Sequence, residues 1–339
     1  SKKIILKLKN FINIRIIGMG GSVLGAKAIH SFLENKIKKK FTFIDNLNVN
    51  KNYFKDKKNS LNLIISKSGN TLETISNANV LIKKNDKNIF ITEDKESYLK
   101  KLALDLNSEI IEHKNFIGGR YSVLSEVGML PAELMGLDEK KFQQFNNLIN
   151  NKKFIDNLTS NVSSTLYLLK KGKFASIILN YDERSENFFK WYQQLVAESL
   201  GKKSKGILPI ISSMPKDNHS LMQLYLDGPK KCFFTFFYVS NKKKIYIDSK
   251  KILSSHYYLR NKNIDDIVFA QKLATEKVFK NKNIPFRSFE ISERSEESIG
   301  ELFTFFILET ILLGRALGVN PFDQPSVELI KKETTKILI

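Results

Sequence analysis

Residues 61–84 read LNLIISKSGNTLETISNANVLIKK, and this stretch decides the fold. LNLII is a continuous aliphatic run rather than an alternating one, as in a strand of a parallel sheet covered on both faces. The loop SKSGNT follows at once, with a glycine that permits a tight turn, and LETISNANVLIKK reads as a helix. The unit is strand, short loop, helix. Upstream, residues 14–17 form a short aliphatic strand that runs through Gly18-Met19-Gly20-Gly21-Ser22 into the helix VLGAKAIHSFLENK. Residues 41–45, 89–92 and 109–112 complete a set of five strands, with a helix over 98–106. Strands alternating with helices at this spacing predict right-handed crossovers and a doubly wound sheet.

Downstream, Gly118-Gly119 precedes Arg120 and a helix predicted over 122–135, bent near Pro131. The segment 138–173 is polar and helical, and a domain boundary is expected inside it. The texture then repeats, with strands over 174–179, 232–239 and 286–291 and helices over 188–200 and 264–279. Ser298 with Glu301 makes a capping box for a long helix ending at Gly318, and a last helix starts near Ser326. The expected fold class is α/β, with two doubly wound domains over 1–138 and 139–300. C-terminal helices over 301–339 are expected to pack back on the site.

At 339 residues and 42% hydrophobic, the chain is long enough for two domains with cores. The net charge of +20 raises nucleic acid as a partner, yet only seven of the 55 basic residues are arginine. Arginine is the residue suited to bidentate recognition of phosphates and bases, so a solvated lysine surface is the better account, and no nucleic-acid partner is expected. A positive field still favours an anionic small substrate. The single cysteine, Cys232, opens the apolar run CFFTFFYV and is expected to be buried. It excludes an internal disulfide and points to the cytoplasm. Residues 1–9 do not read as a signal peptide, and no uncharged apolar run approaches the roughly 18–20 residues that span a bilayer, so no membrane association is expected.

Four groups of residues could carry chemistry. On the helix of FFKWYQQLVAESLGKK (188–203), Trp191, Leu195 and Glu198 recur at i, i+4 and i+7, with Gln194 four residues before Glu198. Glu198 falls in the last turn, where unsatisfied carbonyls make a carboxylate unfavourable by roughly 0.3–1 kcal/mol, a placement that suggests a general base. The alternative is a surface Glu paired with Lys202 or Lys203. The loop SKSGNT puts three hydroxyls (Ser66, Ser68, Thr71) and Lys67 at a helix N-terminus, where free N–H groups favour an anion. In GMGGS, glycine lets backbone approach a ligand and Ser22 takes the N-cap. Plain helix capping is the alternative for both. Arg120, free of neighbouring side chains after two glycines, could stabilise an enolate or phosphate oxygen, or sit in a surface ion pair. His219 lies in a loop between strands, and Gln324 and Lys331 sit seven residues apart near the C-terminal helix. No His, Cys and Asp cluster at metal-ligand spacing is present, so no metal is expected.

Together, GMGGSVLG (18–25), SKSGNTLET (66–74), GGRYSVLSEVG (118–128), QQLVAESLGK (193–202), NHSLMQL (218–224) with DGP (227–229), and GELFTFFILETILLGRALGVNPFDQPSVELIK (300–331) resemble the glucose-6-phosphate isomerase (phosphoglucose isomerase) family. That family is built on two sugar-isomerase (SIS) domains. The resemblance runs from residue 14 to the C-terminus, with six motifs in order. It implies that Glu198 moves a proton between C1 and C2, that Arg120 stabilises the enediolate, and that His219 and Lys331 assist ring opening. It also implies that Ser66, Lys67, Ser68 and Thr71 hold the phosphate, with Gly21, Ser22, Gln194 and Gln324 lining the pocket, and that no cofactor is needed. The family is dimeric with its histidine supplied by the partner, so a homodimer is expected. Members usually carry a longer N-terminal segment, so part of that shell is expected to be missing. The rival readings are a related SIS enzyme that also accepts mannose 6-phosphate, a ketose/aldose isomerase acting on another sugar phosphate, and a non-catalytic phosphosugar sensor. The co-occurrence of Glu198, Arg120, His219 and Lys331 argues against the sensor.

Overall fold

The computed structural model describes residues 6–8, 10–47 and 60–339. Most of the 1–9 stretch therefore lies outside the described residues. Five parallel strands form the first sheet: β1 (Asn13–Gly18), β2 (Lys40–Ile44), β3 (Ser60–Ile65), β4 (Lys87–Thr92) and β5 (Glu109–Glu112), in the order β2-β1-β3-β4-β5. One face is sealed by Val23 and Ala26 of α1 (Gly21–Phe32) and by Val127, Leu130 and Leu134 of α4 (Glu126–Leu134). The other is sealed by Ala78 and Leu81 of α2 (Leu72–Leu81) and by Leu99 and Ala103 of α3 (Tyr98–Asp105). Both faces being covered explains why the central strand β3 reads as an unbroken aliphatic run.

The linking segment is helical, as expected, and includes α5 (Lys152–Lys170). The second sheet holds β6 (Ala175–Asn180), β7 (Leu208–Ser213), β8 (Cys232–Val239) and β9 (Phe286–Ile291), all parallel, in the order β7-β6-β8-β9. Its helices are α6 (Glu186–Leu200), α7 (Met222–Asp227), α8 (Ile264–Asn281), α9 (Glu296–Ala316) and α10 (Val327–Leu338). β7 was not anticipated. Its sequence LPIISS opens beside a proline, which only an edge strand tolerates, and β7 is that edge.

The two sheets share a core. Ala28, Ile29 and Phe32 of α1 join Trp191, Leu195 and Val196 of α6 and Phe303 and Phe306 of α9 in one buried cluster. Trp191 meets Phe303 edge-on at 4.7 Å, and Tyr192 meets Phe306 at 4.8 Å. The buried Glu309 of α9 is forked by Arg287 of β9, a pairing that lets a charge sit inside this core.

Several local expectations are corrected. α9 begins one turn earlier than predicted, through a reciprocal box between Ser295 and Ser298, because Glu296 and Glu297 favour the positive first turn. The 122–135 helix divides into a 3₁₀ turn (Gly119–Leu124) and α4, which places Arg120 in the 3₁₀ turn. The N-cap of α1 is Gly20, and Ser22 lies inside the first turn. Cys232 is half-buried rather than buried, because it is the first residue of its strand.

Candidate active site

Glu198 and Arg120 meet. The i, i+4 spacing on α6 brings Gln194 Nε2 to 2.9 Å from Glu198 Oε1, and Arg120 Nη1 lies 3.3 Å from Oε2. The arginine side chain is 3% exposed and the glutamate 28%, so the carboxylate stays partly open to solvent with its charge already paired. Arg120 donates through its whole fork. Nε bonds Ser199 Oγ at 2.8 Å, Nη1 also bonds Gln324 Oε1 at 2.8 Å, and Nη2 bonds the carbonyls of Pro321 at 2.7 Å and Asp323 at 2.9 Å. The surface ion-pair alternative fails for both residues.

The glycine turn after β1 brings this pair to the first sheet. Gly20 has φ +53°, and a Cβ on it would stand 2.7 Å from Gln194 Nε2. A Cβ on Gly21 would stand 2.2 Å from the Gly119 carbonyl oxygen and 2.7 Å from the Arg120 nitrogen. Only glycine permits these approaches. Gln194 Oε1 is buried and has no hydrogen-bond partner among the described residues. Such a group is open to a ligand hydroxyl.

The serine-rich loop lies on the neighbouring strand, where Gly18 pairs in register with Ile65. Its hydroxyls are not used for capping. Thr71, the N-cap of α2, makes no side-chain cap bond, and its Oγ1 lies 2.9 Å from the Oγ of the buried Ser66. Ser68 is exposed, and its Oγ accepts from the Asn70 N–H at 3.2 Å. The N–H groups of the first turn of α2 are therefore free of a side-chain acceptor, as an anion site requires. Lys67 points elsewhere: Nζ donates to the Asn115 carbonyl at 2.8 Å and stands 3.5 Å from Glu93. Burial opposes the charge on Glu93, but Lys95 and Lys67 hold its carboxyl below the ordinary range.

Two candidates stand apart. His219 is exposed in a 3₁₀ turn (Lys216–His219) and makes no polar contact with another described residue. Its loop is fixed by Asp217, which accepts from Ser212 Oγ and the Ser213 N–H at 2.8 Å each and from Ser220 Oγ at 2.9 Å. Although burial works against its charge, these bonds hold the Asp217 carboxyl low. Lys331 is exposed on α10 and paired with Glu328 at 2.6 Å. None of the residues of α10 is buried.

Residues that the sequence reading did not single out complete the frame. The Tyr121 hydroxyl donates to the Pro321 carbonyl at 2.9 Å and lies 2.8 Å from Ser199 Oγ, and Lys202 binds Asp323 at 2.8 Å. Burial raises the Tyr121 phenol, which stays a neutral donor. Adjacency to Glu198 and Arg120 was the only sequence signal for Ser199 and Tyr121.

With this geometry in hand, comparison with known proteins is direct. A family model described as phosphoglucose isomerase matches residues 5–339. The chain is 34% identical to a probable glucose-6-phosphate isomerase of Methanococcus maripaludis, over 96% of this chain and 78% of that protein. It is also 34% identical to a glucose-6-phosphate isomerase of Methanocaldococcus jannaschii, over 96% and 84%. A crystal structure of a glucose-6-phosphate isomerase from Chlamydia trachomatis superposes with a TM-score of 0.78 at 20% identity, covering 99% of this chain and 73% of that one, which speaks for the fold.

Proposed function

Because this chain belongs to the phosphoglucose isomerase family, and so interconverts D-glucose 6-phosphate and D-fructose 6-phosphate as in glycolysis and gluconeogenesis, we propose how its residues divide the work. Aldose–ketose conversion removes a weakly acidic C–H beside a carbonyl, which needs a positioned carboxylate and a cation where the oxyanion develops. Glu198 is the base that carries the proton between C2 and C1. Arg120 stabilises the enediolate by turning Nη1 from Gln324 to the developing oxyanion. The observation that carries this reading is the Gln194–Glu198–Arg120 constellation, with its charge paired and an unpartnered Gln194 Oε1 beside it for a sugar hydroxyl. The phosphate sits on Ser66, Ser68, Thr71 and the open N-terminus of α2, with Lys67 adding charge from the side and Gly21 and Ser22 lining the approach.

His219 and Lys331 open the sugar ring. Both are exposed in this chain and neither contacts Glu198, which favours a homodimer in which His219 enters the partner's site. No described helix is long and apolar enough to cross a membrane, in keeping with a cytoplasmic enzyme.

The test is Glu198→Gln. It should abolish fructose 6-phosphate formation in a coupled assay while holding arabinonate 5-phosphate, an enediolate mimic, within about tenfold of wild type. Surviving turnover would remove Glu198 from the role.

A further inference from the structure

The second sheet repeats the topology that builds the site on the first. In the first sheet the winding direction reverses between β1 and β3, and the loops leaving those strands are the glycine turn and the serine-rich loop. In the second it reverses between β6 and β8. Open parallel sheets take ligands outside their carboxyl ends at such a reversal. At that point lies a cavity of about 630 Å³, bounded by the loop 181–184 after β6, the loop 240–243 after β8, and Phe32 and Leu33 at the end of α1. It falls in the size range of small-molecule sites. It is separate from the residues assigned to isomerisation, since α6 starts at Glu186, just past the β6 loop, and carries Glu198 in its opposite, last turn.

Its lining is chemically divided. Ile245, Ile264 and Val268 give it an apolar wall, with the buried Phe32 and Tyr181 behind it. The other charges are already matched: in the depth Arg294 forks Asp182 at 2.8 and 2.5 Å while lying 5.3 Å over the Phe32 ring, and on the exposed rim Lys242 binds Glu293 at 2.5 Å. Asp265 accepts from Tyr238 Oη at 2.8 Å and Asn241 Nδ2 at 3.2 Å, which leaves lone pairs for further donors. Arg184 and Lys243 line the same cavity and have no hydrogen-bond or ion-pair partner among the described residues. Glu183, on the rim, is exposed.

We propose that this cavity binds a nucleoside phosphate. A flat base packs on the apolar wall, the ribose hydroxyls donate to Asp265, and the phosphate takes the charges of Arg184 and Lys243. A bare phosphate would gain nothing from the wall and would be repelled by Asp265, whereas a ligand bearing both hydroxyls and a ring uses every part of the lining. The proposal does not depend on which residues catalyse isomerisation.

Calorimetric titration of the full chain, with arabinonate 5-phosphate saturating the isomerase site, tests it with AMP, ADP, ATP, ribose 5-phosphate and inorganic phosphate as probes. The expected result is one saturable site for at least one nucleotide below about 1 mM, with the two smaller probes at least about tenfold weaker. Arg184→Glu combined with Lys243→Glu should weaken the nucleotide by about tenfold or more and leave isomerase turnover within about twofold. No saturable binding, loss of binding when arabinonate 5-phosphate is present, indifference to the double substitution, or phosphate alone binding as tightly as the nucleotide would each overturn it.

Discussion

Ser199 holds a relay. Its Oγ accepts from Arg120 Nε and lies beside the Tyr121 hydroxyl, which passes its own hydrogen to the Pro321 carbonyl. Ser199→Ala would leave the buried Nε without an acceptor, at a cost of about 1–3 kcal/mol. We expect kcat/KM to fall by about 10–100-fold with the overall fold intact by circular dichroism, and an unchanged kcat/KM would mean that Arg120 needs no such support. Arg120→Lys keeps a charge but loses the fork that serves five acceptors, so kcat should drop by about 10²-fold or more. His113 shows a different control. It is 2% exposed, and burial lowers its pKa while its Nδ1 meets the Lys114 carbonyl. The unfolded chain therefore binds a proton more readily than the folded one, so this contribution is fully present above the ordinary histidine value of 6.5 and is lost as pH falls below it. Tm should decline between pH 7 and 5, with a shallower slope in His113→Gln. At this scale the sequence was informative where spacing is chemistry, as for Gln194 and Glu198 four apart. It was silent where a role comes from across the fold: nothing in residues 320–324 announces that two of their carbonyls and a glutamine will fill one guanidinium.

The start of α1 works as a spacer between the two sheets. With Gly21 against the Gly119 carbonyl, one added methyl has nowhere to go, because both neighbours are backbone. Gly21→Ala should push the Arg120 turn outward and lower kcat/KM by about 10²-fold, while destabilising the chain by about 1–3 kcal/mol in urea unfolding. Full activity in that variant would show that the turn can shift without moving the guanidinium. The elements themselves were mostly readable. The central strand β3 announced itself as an aliphatic run, and the predicted strands 232–239 and 286–291 coincide with β8 and β9. β7 escaped because Pro209 and two serines mask a short edge strand, and its partner lies 33 residues earlier, as Ala175 pairs with Leu208. The start of α9 was misplaced because Ser298 and Glu301 satisfy the same pattern that Ser295 and Ser298 realise one turn earlier.

At the scale of the molecule, a shared core of α1, α6 and α9 makes the two sheets one body, and the site draws its residues from both. The assembly is open to a genetic test. If His219 acts across a two-fold interface, chains carrying Glu198→Gln and chains carrying His219→Ala, each inactive alone, should recover activity when co-assembled. Random pairing would give about a quarter of the wild-type rate, since half the dimers are mixed and each holds one intact site. No recovery in dimers shown to be mixed would place both residues in the same chain's site. The exposed apolar residues of α10, including Ile330 at 70% and Ile337 at 83% exposure, lie on the helix that carries Lys331, and no single-chain pattern says where that helix rests. The guanidinium at position 120 has a last consequence, for biosynthesis. Its carbonyl acceptor at Pro321 is 201 residues further along. At the ribosome's pace of about 5–20 residues per second, the nascent arginine waits about 10–40 s before the acceptors of three of its five donors exist. Translation of the first sheet thus yields no catalyst, and a premature stop anywhere before that proline would release a chain lacking three of the five acceptors that hold position 120.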